Sequence, residues 1–204
     1  MHIHFAGSPQ QHAHWSWYGK LPGAGDFSVF NLRPAELDCL DDWLSHTLHA
    51  GQTKHAHAWH AAYMAMPMLG FALGPQCLGN TQGTGAHGVW MPSIDSAGRA
   101  FPLILFGWHS HEHPSPLRDV ASATTLLSNL HQICAQALSE DWVFGRLEAA
   151  LVHVNKATVC DDLPPGVSHW GCLQANGLLQ HAVDCHGLPT LQNFEHWMGL
   201  EYPL

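Results

Sequence analysis

Two short turns far apart in the chain carry the side chains best suited to chemistry. The first is Trp17-Tyr18-Gly19-Lys20-Leu21-Pro22-Gly23-Ala24-Gly25-Asp26-Phe27, in which Lys20 and Asp26 flank a Gly/Pro loop. The second runs through Met91-Pro92-Ser93-Ile94-Asp95-Ser96-Ala97-Gly98-Arg99, with Asp95 and Arg99 four residues apart. A carboxylate beside an ammonium or guanidinium can exchange protons, lock a turn through charge-assisted hydrogen bonds, or present a charged docking patch. Only the first use needs a reacting group, and it also needs the fold to bring the two turns together. Turn aspartates commonly cap backbone amides, so bracing is an equally good reading of the same residues. With seven Lys and Arg among 204 residues, a cation placed in such a turn is not solvation filler.

Phosphate cradling is excluded by spacing. A P-loop needs a glycine five positions before its Gly-Lys pair and Ser or Thr after it, whereas His14 and Leu21 occupy those places. Gly23-Ala24-Gly25 lacks the third glycine of a dinucleotide fingerprint. The formal charge of −9 and the scattered cations argue against nucleic acid as a partner.

Histidine supplies the other possible chemistry. His109, His111 and His113 alternate and would share one face of an extended segment, while His57 and His60 would share a face of a helix. Zinc is held by such sets. No fourth ligand is placed, however, and the pairs His2/His4 and His12/His14 look the same in a chain with nineteen histidines. No metal site is assigned, and a metal-dependent hydrolase stands as an alternative only. Near pH 6 partial protonation of the histidines would offset the acidic excess, which predicts pH-dependent solubility. There is no Gly-x-Ser-x-Gly elbow, no His-Glu-x-x-His and no cysteine in a nucleophile setting, so no catalytic residue and no cofactor is assigned. The six cysteines, at 39, 77, 134, 160, 172 and 185, lack a CxxC pair and read as free thiols of a reducing compartment. No signal-like start and no membrane-length apolar run is present, which predicts a soluble cytoplasmic protein.

The elements that must position these residues follow from periodicity. Pro22 and the glycines predict a strand entering a tight loop, with Gly23 and Gly25 free to take positive φ. Arg33-Pro34-Ala35-Glu36 opens a helix whose Leu37, Leu40, Leu44 and Leu48 form its apolar stripe, with Asp38, Asp41 and Asp42 on a solvated acidic face. A second helix is expected from about Lys54 to Met64, a strand over Leu69, Phe71 and Leu73, and a loop over Gly79 to Gly88. Val89 to Trp108 reads as a hairpin turning near Asp95 to Gly98, with Pro92 and Pro102 at strand ends. Ser115-Pro116 opens the longest helix, and Phe144, Leu147 and Leu151 mark a shorter one. After the break at Asp161 to Gly166, strands over Trp170–Leu173 and Leu178–Val183 flank an Asn176-Gly177 turn, and Thr190 caps a last helix. The mixture predicts an α+β fold, a mainly antiparallel sheet with helices packed on it in a single compact domain. Within it we expect a flexible N-terminal segment at 1–16, a core at 17–160, and a hairpin and helix at 161–204 packing on the same body.

The ordered combination of Trp17-Tyr18-Gly19-Lys20-Leu21-Pro22 and Gly25-Asp26-Phe27, then Asp42-Trp43-Leu44, Met91-Pro92-Ser93-Ile94-Asp95, Gly98-Arg99 and Phe101-Pro102-Leu103, resembles the TagF (ImpM, SciE) family of type VI secretion accessory proteins. Gly187-Leu188-Pro189 and Phe194 resemble the family's C-terminal end. Phe30 stands where the family pattern often has a basic residue. The resemblance implies a compact α/β domain and a cytoplasmic, non-enzymatic repressor that acts after translation on a forkhead-associated scaffold protein. A structural component of the secretion apparatus is the further alternative. The matched positions proposed to meet the partner are Lys20, Asp26, Asp95 and Arg99 with Tyr18, Phe27 and Trp43; Pro92, Phe101 and Pro102 are matched as well.

Overall fold

The computed structural model describes residues 4–5, 15–79, 84–110, 120–154 and 163–200. In chain order they form β1 (His4–Phe5), β2 (Trp15–Gly19), β3 (Ser28–Phe30), α1 (Pro34–His55), α2 (His57–Ala65), β4 (Leu69–Leu73), β5 (Thr84–Met91), β6 (Leu103–Ser110), α3 (Val120–Ser139), α4 (Phe144–Leu151), β7 (Val167–Leu173), β8 (Leu179–His186) and α5 (Leu191–Met198). The strands make one eight-stranded sheet in the order β1-β3-β2-β6-β5-β4-β7-β8. Every neighbouring pair is antiparallel except β1 with β3, so the architecture is α+β, as the element mixture predicts.

Helices cover both faces of this sheet, and the strand pleat decides which side chain meets which layer. Tyr18, Trp90, Ile104, Phe106 and Trp170 share a core with Leu40, Leu44 and Leu48 of α1, Trp59 and Tyr63 of α2, and Phe194 and Trp197 of α5. Their neighbours Trp15, Trp17, Val89, Met91, Leu103 and Leu105 point the other way, onto Leu126, Leu130 and Cys134 of α3 and Leu147 and Leu151 of α4. Trp17, Trp90 and Trp170 are among the largest fully buried side chains. Each such ring removes roughly 150–250 Å² from water, so the tryptophans contribute heavily to the stability of both cores. Phe30 stacks on Trp17 with ring centroids 4.2 Å apart, so an apolar residue at this position is part of the second core.

Several expectations are corrected. α1 runs on to His55, and the second helix begins only at His57, because Ala56 takes φ 42 and breaks the axis between them. The glycine-rich stretch expected as a loop to Gly88 is strand β5 from Thr84 onward. Gly88 is there for packing, since a Cβ would lie 1.8 Å from the Leu105 carbonyl oxygen of the adjacent strand. Asp41 is not merely solvated, because the Tyr18 hydroxyl donates to its carboxylate. The helix start at Ser115-Pro116, most of the segment 1–16, Cys160, His111 and His113 lie outside the described residues.

Other expectations match. Gln174 N–H donates 2.9 Å to the Leu178 carbonyl across the turn in which Gly177 has φ 83. At α5, Asn193 Oδ1 accepts from the Thr190 N–H and hydroxyl at 2.8 and 2.9 Å. Cys39, Cys77, Cys134, Cys172 and Cys185 are free thiols, and burial pushes that of Cys134 up to about 12. The β7–β8 ladder slips at Trp170/Cys172, and His181 beside it has φ 50.

Candidate functional site: two turns tied through Asp95

The first turn is shaped by close backbone approach. β2 ends at Gly19, with φ 136, and a Cβ there would fall 1.9 Å from the Pro102 carbonyl oxygen. The chain then doubles back, with Ala24 N–H donating to Leu21 O at 2.9 Å. Gly23 and Gly25 do not take the positive φ expected of them. Gly23 instead lies against the link between α3 and α4, where a Cβ would stand 2.1 Å from the Asp141 carbonyl oxygen. The requirement for glycine is steric at this position.

The second turn is organised by one carboxylate. Asp95 Oδ1 accepts from the Ala97 and Arg99 N–H groups, each at 2.9 Å, and Gly98 closes the turn with φ 75. Arg99 Nε donates to Asp95 Oδ2 at 2.6 Å. The same oxygen accepts from Lys20 Nζ at 2.9 Å, across 75 residues of sequence. Two further bonds join the turns: Ser96 N–H to Ala24 O at 3.1 Å, and Arg99 Nη2 to Gly25 O at 3.2 Å.

Burial sorts these groups into two kinds. The Asp95 and Lys20 side chains are 0% and 5% exposed, whereas that of Arg99 is 61% exposed. Burial alone would raise the Asp95 pKa, but the hydrogen bonds from Lys20 and from the Arg99 backbone and guanidinium hold it well below the usual carboxylate range. A carboxylate so stabilised is a poor general base at neutral pH, so the cluster is built for fixation rather than proton transfer.

Beneath it, Phe27 packs edge-on to Phe101 with centroids 4.6 Å apart, and Tyr18 lies against both rings. Lys20 Nζ sits 4.5 Å from the Phe27 centroid, a cation–π contact. Burial and then the Asp41 carboxylate raise the Tyr18 phenol far above its ordinary value, so it stays a neutral donor. Asp26 Oδ1 accepts the Phe27 N–H at 2.8 Å, holding that ring's backbone in place.

The structure therefore brings together Lys20, Asp95, Arg99, Tyr18 and Phe27, with Asp26 on the same turn. Tyr18, Lys20 and Asp95 are buried, Asp26 and Phe27 are half-buried, and Arg99 is open. Trp43 stands apart: its indole donates 2.7 Å to Pro189 O, and its ring meets Trp170 and Phe194. Asp41 and the Asp141 backbone complete the turn's support, and local sequence patterns carry no signal for either contact. Among the described residues no three His, Cys, Asp or Glu side chains converge as a metal-ion set, and no helix is long and apolar enough to cross a membrane.

Comparison with known proteins gives this geometry a family. Residues 16–154 match the family model of the TagF N-terminal domain, described as type VI secretion system-associated. The fold also matches the crystal structure of PA0076 from Pseudomonas aeruginosa PAO1, with a TM-score of 0.75 and 24% identity over 93% of this chain and 96% of that one. No curated protein matches significantly. With the family model spanning more than half of its residues, including both tied turns, the chain belongs to the TagF family of type VI secretion system-associated proteins.

Proposed function

We propose that this protein is a cytoplasmic, non-enzymatic regulator that represses a bacterial type VI secretion system after translation by binding its forkhead-associated scaffold protein. The family match over residues 16–154 carries the secretion assignment. The tied turns support the docking surface. Lys20, Asp95 and Tyr18 form its buried brace, while Arg99, with Asp26 and Phe27 beside it, forms the face that meets the partner. Arg99 is a fixed cation on a chain of net charge −9, held by Asp95 and the Gly25 carbonyl while 61% exposed. Preorganising such a group lowers the ordering cost of association. Trp43 serves this surface indirectly, by seating α1 against α5. The 161–204 region is read as part of the same body as the 17–160 core, a reading supported by β7 pairing with β4 over five residues.

A regulator without catalysis acts by occupancy, so repression follows mass action with scaffold concentration. Overproducing the scaffold is expected to restore secretion in cells holding a fixed level of this protein; absence of rescue at every ratio sinks the proposal. Arg99→Ala is expected to weaken scaffold capture about tenfold, the loss of one interface anchor, with the melting temperature within a few degrees of wild type. Deletion that abolishes secretion, where repression requires it to rise, would identify a structural component instead.

A further inference from the structure

Beside the tied turns lies a cleft of about 420 Å³, walled by Pro22 of the first turn, Pro92 of the second, and Met64, Met66 and Met68 around the link from α2 to β4. Its chemistry is unusual for this molecule. Prolines offer no amide donor, and the unbranched thioethers of exposed Met64 and half-buried Met68 can reshape around an apolar guest over the core-packed Met66, which is 4% exposed. Met64 is 40% exposed, one of few large apolar side chains left open to water among the described residues.

The polar lining defines the guest further. No Lys or Arg among the described residues lines the cleft, whereas Asp141 does. The Asp141 carboxylate has no cation partner among the described residues, its nearest acidic neighbour Glu140 being already bonded to Arg146. His131 also faces the cleft, and burial pushes its imidazole below the ordinary value, so at neutral pH it adds no positive charge. Asp141 is also the residue whose backbone the Gly23 turn rests on, so cleft and turn are one mechanical unit.

We propose that this cleft receives a short amphipathic segment of a partner protein, one or two apolar side chains lying among Met64, Met66 and Met68 and a Lys or Arg reaching Asp141. The size fits a pocket for a few side chains, and the charge match follows from a lone acid on an apolar wall. The proposal rests on the docking role given above and adds a second contact to it.

The test uses the full chain labelled with 13C at its methionine methyl groups. On adding the forkhead-associated scaffold, the Met64, Met66 and Met68 signals are expected to shift while the buried Met91 signal stays. Met64→Glu and Asp141→Lys are expected each to weaken capture about tenfold, a change of about 1.4 kcal/mol. Binding unchanged in both variants, with unshifted cleft signals, overturns the inference and leaves the docking role standing. If wild-type protein fails to bind the scaffold, the docking role falls. A synthetic amphipathic helix bearing paired leucines and an arginine then decides the cleft: selective shifts that vanish for its Leu→Ser and Arg→Glu versions support it, and their absence overturns it. A small apolar molecule retained in native mass spectra of the purified protein would also overturn it.

Discussion

Two carboxylates in this molecule are each held by one buried and one exposed base, yet they do different work. Asp95 binds Lys20 and Arg99, and Glu195 of α5 binds His55 at 2.6 Å and Lys54 at 2.7 Å at the end of α1. In both, burial would raise the carboxyl pKa, and hydrogen bonds from the basic partners lower it instead. Asp95 also caps two backbone amides and so shapes its own turn, whereas Glu195 ties one helix to another. The buried partner of Asp95 is an ammonium, that of Glu195 an imidazole charged only when protonated. One cluster therefore fixes a surface from a buried ammonium, and the other fastens two helices with its permanent charge, Lys54, on the exposed side.

The comparison breaks most visibly at Asp95. Asp95→Ala leaves Lys20 buried without its carboxylate and is expected to cost roughly 3–5 kcal/mol, read as a fall in the denaturant midpoint. A loss below about 1 kcal/mol would remove Asp95 from its structural role. The acid limb comes next. Both folded carboxyl pKa values are lowered, so their contribution is complete above about pH 5 and is lost as pH falls toward the depressed folded values. Stability measured from pH 7 to pH 3 is expected to drop in wild type and to drop less steeply in Asp95→Ala, where only the Glu195 share remains. Gly19→Ala adds a side chain at φ 136 against Pro102 O and is expected to cost roughly 1–3 kcal/mol. Glu195→Gln keeps the volume and one acceptor and should cost about 1–2 kcal/mol, a smaller loss than at Asp95. Arg99→Ala ranks last, at about 1 kcal/mol or less, because solvent screens its pair. A larger loss there would make Arg99 a brace rather than a contact.

The local chemistry of the second turn was legible in the sequence. Asp95 as a cap, Gly98 at positive φ and Arg99 reaching back across four residues all follow from turn rules. What lay dozens of residues away was not. For Lys20, turn chemistry leaves an exposed docking charge and a brace equally open, and only the fold decides, burying it 2.9 Å from Asp95. Gly23 and Gly88 read as flexibility, but both are tight contacts with backbone from another element. The break at Ala56 carries neither glycine nor proline to announce it. Strand β4, by contrast, was legible from the alternation of Leu69, Phe71 and Leu73, although helices on both faces bury all five of its residues.

The bond from the Trp43 indole to Pro189 O joins groups 146 residues apart. At roughly 5–20 residues per second, a ribosome needs about 7–30 s to deliver the second after the first. Throughout that interval α1 has emerged while the helix that covers its tryptophan has not. A growing chain thus shows a sticky aromatic flank that the finished one conceals, and its safe arrival depends on whatever shields nascent polypeptides in the cell.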